Sequence, residues 1–195
     1  MKKKNSRNTK ARIVSAAWQL FYRNGYDDTT IEEIVELSET SKGSFYHYFD
    51  GKDALLGSLS DLFDDKYEEL EEGMDPSLDP IQKLLYLNHE LFLMIENTVS
   101  IDLLSQLFST QLITKGDKYL LNTGRTYYKL LRQVVIDGQR QGIFREDFTT
   151  NDICKAYAMF ERGMMYDWCI CNGDYSLCSY SAQFLPIYLE GFCKK

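Results

Sequence analysis

Proline is scarce. Only Pro76, Pro80 and Pro186 occur in 195 residues, so long helices can run without forced breaks. No stretch approaches the roughly 18 consecutive apolar residues of a membrane-spanning helix. The first ten residues, MKKKNSRNTK, are basic, yet no apolar run follows them. That excludes the pattern of a secretory leader and sets the expectation of a cytoplasmic chain. Histidine is almost missing: His47 and His89 stand far apart, and neither falls in an H-E-x-x-H or Glu-x-x-His arrangement. With no nucleophile elbow, phosphate loop or paired-carboxylate motif either, catalysis is not expected.

All five cysteines, Cys154, Cys169, Cys171, Cys178 and Cys193, lie in the last quarter. An odd count without an export pattern reads as reduced thiols rather than a disulfide framework. The C-x-C-x6-C spacing is not a structural zinc pattern, because Cys169 and Cys171 would point about 200° apart on a helix. No metal site and no cofactor is expected, although a thiol- or metal-responsive switch on these residues stays open as an alternative.

What is present is a soluble composition, 44% hydrophobic and 26% charged, with charge of one sign at each end. Seven Lys or Arg (2, 3, 4, 7, 10, 12, 23) precede the first acid, Asp27. Beyond residue 52 the balance reverses, to 13 basic against 22 acidic. A basic N-terminal part on an acidic chain suits contact with a polyanion there, or else a solvated tail.

Periodicity is helical nearly throughout, and no alternating run is long enough for a sheet, so the fold class is all-α. Ile13, Ala17, Leu20 and Phe21 share one face of a helix over 9–23, stopped by Asn24-Gly25. TTIEEIVEL then offers two capping boxes, Thr29 with Glu32 and Thr30 with Glu33, for a short helix over 30–37 with Ile31, Ile34 and Val35 inward. After Ser38-Glu39-Thr40 comes a brief third helix over 41–47. A longer helix starts at Lys52 with an apolar stripe of Leu55, Leu56, Leu59, Leu62, Phe63, Tyr67 and Leu70. Its other face carries an acidic run expected to be solvated. Gly73, Pro76 and Pro80 mark the clearest break. Further helices are expected over 81–97, 101–113, 117–141, 150–171 and 179–193.

Residues 41–55, SKGSFYHYFDGKDAL, hold the densest aromatic cluster in this part of the chain. Three short helices, the last two separated by a tight polar turn, make a helix-turn-helix candidate. Small, polar residues at Thr40, Ser41, Lys42, Gly43 and Ser44 let a helix end enter a DNA major groove. Tyr46, His47 and Tyr48 stand one turn later with polar tips, while Phe45 and Phe49, four apart, read as core. The competing reading of the two tyrosines is half-buried packing.

These residues carry a resemblance. T-x-x-x-I-x-x-A-A-x-x-L-F at 9–21, G-Y-x-x-T-T-I-x-x-I at 25–34 and S-K-G-S-F-Y-H-Y-F-x-x-K-D-x-L at 41–55 are together similar to the DNA-binding domain of the TetR family of transcriptional regulators. The resemblance implies a DNA-binding domain over 1–52 and a helical regulatory domain, for ligand binding and dimerisation, over 53–195. It further implies a ligand-released repressor that binds a palindromic operator as a homodimer. By position, Thr30, Tyr46, Tyr48 and Lys52 match phosphate-holding residues, and Ser41, Lys42, Gly43, Ser44 and His47 lie on the base-reading face. One departure is Ser38-Glu39-Thr40, where the family usually has Ala-Gly-Val. The glycine ordinarily permits a left-handed turn.

Two apolar stripes on the helix over 153–171, and Phe184, Leu185, Tyr188, Leu189 and Phe192 on the last helix, must be buried by the core and by something else. The expectation is a four-helix dimer interface using Met165, Cys169, Phe184, Leu185, Tyr188 and Phe192. For a small hydrophobic or aromatic ligand, the candidate pocket is Phe108, Tyr127, Tyr128, Tyr157, Phe160 and Met164. His89, Asn88 or Arg125 are candidates for holding the ligand's polar end.

Overall fold

The computed structural model describes the backbone of residues 2–113 and 118–194, and their side chains except those of 2–8 and 59–62. Within that range nine α-helices occur and no strand: α1 Lys2–Asn24, α2 Ile31–Leu37, α3 Lys42–Tyr48, α4 Lys52–Gly73, α5 Pro80–Thr98, α6 Ile101–Ile113, α7 Thr126–Arg140, α8 Thr150–Ile170 and α9 Leu177–Glu190. The all-α expectation stands. Leu59 and Leu62 of the expected α4 stripe, and the basic residues at 2, 3, 4 and 7, lie outside the described side chains.

Two compact units result, Met1–Asp61 with Asp102–Tyr119, and Leu62–Ile101 with Leu120–Lys195. This division differs from a boundary after residue 52, because the first unit keeps α4 as far as Asp61 and takes most of α6. Polar contacts show why α6 joins it. The Asp102 carboxylate accepts from the Tyr26 N–H at 3.1 Å, and Gln106 donates to Asp27 at 3.4 Å. The Tyr119 ring lies against Gly57, close enough that a Cβ there would press on it at 3.0 Å.

In the first unit α1, α2 and α3 pack on one another. Ile13, Ala17, Leu20 and Phe21 of α1, Ile34 of α2 and Phe45 of α3 are buried together with Tyr26, Phe49, Leu55 and Leu56. α1 ends where expected, since Gly25 takes φ +86° and its N–H returns to the Phe21 carbonyl at 3.0 Å. Of the two capping boxes, Thr30–Glu33 forms. Thr29 is instead buried, with its hydroxyl donating to the Gly25 carbonyl.

In the second unit α5 packs on α7 and α9, and α8 on α7 and α9. The helix expected over 117–141 starts later. Tyr119–Leu121 forms a 3-10 turn, and the Asn122 side chain accepts from the Gly124 N–H at 2.9 Å, an Asx turn that delays α7 to Thr126. Arg125 supplies no cap of its own, so α4 does it: Asp64 accepts from the Tyr127 N–H at 3.2 Å and pairs with Arg125 at 2.8 Å. Glu68 accepts from the Thr126 hydroxyl at 3.2 Å. Part of the acidic run expected to be solvated thus receives the N-terminus of α7, where its partial positive charge favours carboxylates.

Candidate functional site

α3 is built to present one side. Ser41 caps it, accepting from the Ser44 N–H at 3.1 Å, and Phe45 anchors it by complete burial. Ser41, Lys42, Gly43, Tyr46 and His47 are left exposed, with Ser44 and Tyr48 half-buried. Tyr46 is 55% exposed, too open for the packing role that competed with a contact role. His47 sets its ring edge-on to Tyr48 at 4.8 Å. Lys42 pairs with Glu32 of α2, both more than half exposed, so solvent screens the pair and an incoming anion can compete for the ammonium. Thr30 is exposed at the start of α2, its hydroxyl donating to Glu33 at 2.8 Å.

Lys52 stands apart from these residues. Its ammonium donates to the carbonyls of Tyr26, Asp27 (3.2 Å) and Thr29 (2.9 Å) and lies 4.3 Å from the Tyr26 ring centroid. Its three protons are committed to the α1–α2 loop, so its contribution is to hold that loop rather than to offer a free cation.

The turn between α2 and α3 resolves the sequence departure. Glu39 adopts the left-handed conformation, φ +48°, that glycine would take there at little steric cost. Arg12 of α1 accompanies it, donating to the carbonyls of Ser38 and Glu39 (2.8 Å) and reaching the Glu39 carboxylate at 3.3 Å. The turn therefore keeps the left-handed shape that a glycine would give it.

The second unit contains a cavity of about 40 Å³ lined by Phe63, Tyr67, Leu91, Tyr127, Met165 and Glu161 among others. Glu161 of α8 is 2% exposed. Its carboxylate accepts from Tyr127 of α7 at 2.6 Å and Asn88 of α5 at 3.1 Å, and Ser181 of α9 donates to Asn88 at 2.6 Å. One buried network therefore ties four helices. Burial raises the Glu161 carboxyl above the ordinary carboxylate range, against the donors that pull it down. Tyr67 places a buried hydroxyl here with no partner among the described residues.

The expected pocket is mostly redistributed. Tyr127 lines the cavity, but Tyr157 is buried with its hydroxyl on the Leu84 carbonyl at 2.8 Å, and Phe160 stacks on Tyr188 at 5.0 Å. Met164 is half-buried and not among the cavity's lining residues, and Phe108 belongs to the first unit. Tyr128 lines a separate cleft. None of the expected polar anchors is free to serve: Arg125 is paired to Asp64, Asn88 sits inside the network, and the His89 Nδ1 lies 3.0 Å from the Cys178 sulfur.

Of the expected interface residues, Met165 and Leu185 are buried within the second unit, at 7% and 1% exposure, because two supposed stripes on α8 are one broad inward face. Cys169, Tyr188 and Phe192 are half-buried, and Phe184 is exposed. The outward apolar residues of α8 and α9 are Met159, Tyr166, Ile170, Tyr180, Phe184 and Ile187. Only Phe184 was in the expected set. As for the cysteines, burial pushes the Cys154 thiol to about 11 and also raises Cys178 and Cys193, which keeps them protonated and unreactive. Among the described residues no group of three or more His, Cys, Asp or Glu is placed to hold a metal ion. Among the described residues no single helix is long and apolar enough to cross a membrane either.

Comparison with known proteins agrees with this geometry. A sequence profile described as "Bacterial regulatory proteins, tetR family" matches residues 13–59. The HTH-type transcriptional regulator QacR of Staphylococcus aureus (strain Mu50 / ATCC 700699) is 36% identical over 89 residues, 46% of this chain and 47% of its own length. The match to a Lactococcus lactis regulator, 50% identical over 48 residues, spans 24% of that protein, so this chain covers half or less of either. The HTH-type transcriptional repressor KstR2 of Rhodococcus jostii (strain RHA1) aligns more fully, at 25% identity over 96% of this chain and 92% of its own. These relatives are named as regulators and none as an enzyme. Among solved structures, the Thermus thermophilus repressor FadR in complex with lauroyl-CoA superposes with a TM-score of 0.75 at 22% identity, covering 95% of both chains, which shows a shared fold. The helix-turn-helix residues and these matches concur: residues 13–59 are similar to the tetR family of bacterial regulatory proteins, and the chain shares the fold of a solved repressor.

Proposed function

We propose that the protein is a sequence-specific DNA-binding transcriptional regulator of the cytoplasm, acting as a homodimer on a palindromic operator and released by a small ligand. Residues 1–52 serve as the DNA-binding domain and 53–195 as the regulatory domain. The observation that carries this reading is the presentation of α3: a capped helix anchored by a fully buried Phe45, with Lys42, Gly43, Tyr46 and His47 exposed along one side. Ser41, Lys42, Gly43, Ser44 and His47 are assigned to base edges in the major groove, and Thr30, Tyr46 and Tyr48 to phosphates. Lys52 holds the loop that positions Thr30.

The outward apolar face of α8 and α9 is assigned to the partner copy, since six large apolar side chains on adjacent helices are expensive to leave in water. Two reading heads then contact half-sites about one DNA turn, or a multiple of it, apart. A ligand taken up by the regulatory domain releases the operator only if it binds the state with mismatched heads more tightly. Apolar lining around Tyr67, Leu91, Tyr127 and Met165 favours a hydrophobic or aromatic ligand. Repression is the mode that two supporting relatives share in their names.

Fluorescence anisotropy with labelled duplexes tests the reading. Lys42→Ala and Tyr46→Ala are expected to weaken binding to a selected operator by about tenfold each, or ~1.4 kcal/mol. Unchanged affinity in both variants would remove α3 from the interface.

A further inference from the structure

A cleft of about 400 Å³ opens on the second unit between α7 and α8, and its charge contradicts that of the chain around it. Arg132 of α7 and Lys155 and Arg162 of α8 line it, with no Asp or Glu among the lining residues. Beyond residue 52 acids outnumber bases by 22 to 13, so three gathered cations are not the local average. None of the three forms an ion pair among the described residues. The acid nearest in sequence to Lys155, Asp152, is occupied by the cap of α8, where it accepts from the Thr149 N–H at 3.0 Å and the Thr149 hydroxyl at 2.6 Å. Thr123, Asn151, Leu121, Cys154 and Tyr128 complete the lining; the Tyr128 hydroxyl accepts from Arg162 at 3.2 Å and donates to the Leu120 carbonyl at 3.4 Å.

Arg162 also lines the apolar cavity that holds Tyr67, Leu91 and Met165. Cleft and cavity therefore adjoin at one guanidinium. The cavity alone, at about 40 Å³, holds no more than a few waters, whereas the cleft has the volume of an organic ligand.

We infer that this cleft is the head-group site of the regulatory ligand, and that the ligand is an organic phosphate: a phosphate head between Arg132, Lys155 and Arg162, with an apolar body directed past Tyr128 towards Leu91 and Met165. Arginine forks match phosphate oxygens two at a time, and three cations suit a doubly charged head better than a single carboxylate. A cationic ligand would meet three like charges before reaching Glu161. The inference rests on the proposal that the second unit takes a ligand, and it supplies that ligand's class.

The test is calorimetric titration of the full chain, without DNA, with octyl phosphate, octanoate, octanol, octyltrimethylammonium and inorganic phosphate. Octyl phosphate is expected to bind at least tenfold more tightly than each of the others. Arg132→Gln and Lys155→Gln are each expected to weaken it about fivefold or more while leaving octanol binding and the thermal melt unchanged. Octanoate binding equally well overturns the phosphate head, and inorganic phosphate binding equally well overturns the apolar body. Preference for octanol or octyltrimethylammonium, or indifference to both substitutions, overturns the site. Adding operator DNA afterwards separates the two proposals: tight octyl phosphate binding that leaves DNA affinity unchanged removes ligand release and keeps the site.

Discussion

Glu161 shows how one residue sets the chemistry of the second unit. In sequence it is an acid between Phe160 and Arg162, and it was not among the candidate residues. On α8 it falls at four-residue spacing between Tyr157 and Met165, both buried, and that register was the available signal. A buried carboxylate that keeps its donors is tolerable, but one that loses a donor is not. Tyr127→Phe is therefore expected to cost about 1–3 kcal/mol in urea denaturation, whereas Tyr67→Phe, which removes a hydroxyl without a partner, is expected to be neutral or stabilising. A larger loss for Tyr67→Phe than for Tyr127→Phe would contradict the network. The sign of the pH dependence follows from burial. Folded Glu161 keeps its proton above the range where the unfolded chain has released its own, so its contribution is full below the ordinary carboxylate value and drains as pH rises through the raised one. The melting temperature of wild type, relative to Glu161→Gln, should accordingly fall as pH rises above the ordinary carboxylate value. A rising difference would place the carboxylate as a stabilising anion instead.

At Glu39 the left-handed backbone costs a non-glycine residue about 1–2 kcal/mol, of which the flexibility of an unfolded glycine would return a part. Glu39→Gly is expected to stabilise the protein by up to about 1 kcal/mol in the same denaturation assay, provided Arg12 still clamps the two carbonyls.

Among elements, those whose ends are marked by local chemistry were legible. Gly25 ends α1, Thr30 with Glu33 starts α2, and Ser41 starts α3, each through atoms within a few residues of the boundary. The start of α7 was not, since its cap is Asp64, more than sixty residues earlier, and no local pattern announces a cap delivered by another helix. α9 continues through Pro186, which leaves the Ala182 carbonyl without its usual helical donor, so the residue that most often ends a helix does not end this one. The faces of α8 were misassigned because apolar residues surround it, and periodicity alone does not say which side meets its own core. Ile187→Asp and Ile170→Asp, both on the outward side, are expected to convert a dimer to monomers in sedimentation while leaving far-ultraviolet circular dichroism intact. A dimer that survives both changes would move the interface off α8 and α9.

For the molecule as a whole, charge separates the two tasks. An N-terminal part rich in Lys and Arg is carried on a chain of net charge −7, so a polyanion such as the proposed DNA operator would be attracted to one end and repelled by the remainder. Binding driven by phosphate contacts should weaken steeply with salt, about tenfold or more between 50 and 200 mM. The assignment of α3 as the reading helix is tested most directly by selection of random duplex DNA with purified protein at moderate salt. Enrichment of a palindrome whose half-sites lie about one helical turn or a multiple of it apart is the predicted result. A well-folded dimer that enriches no sequence would contradict it.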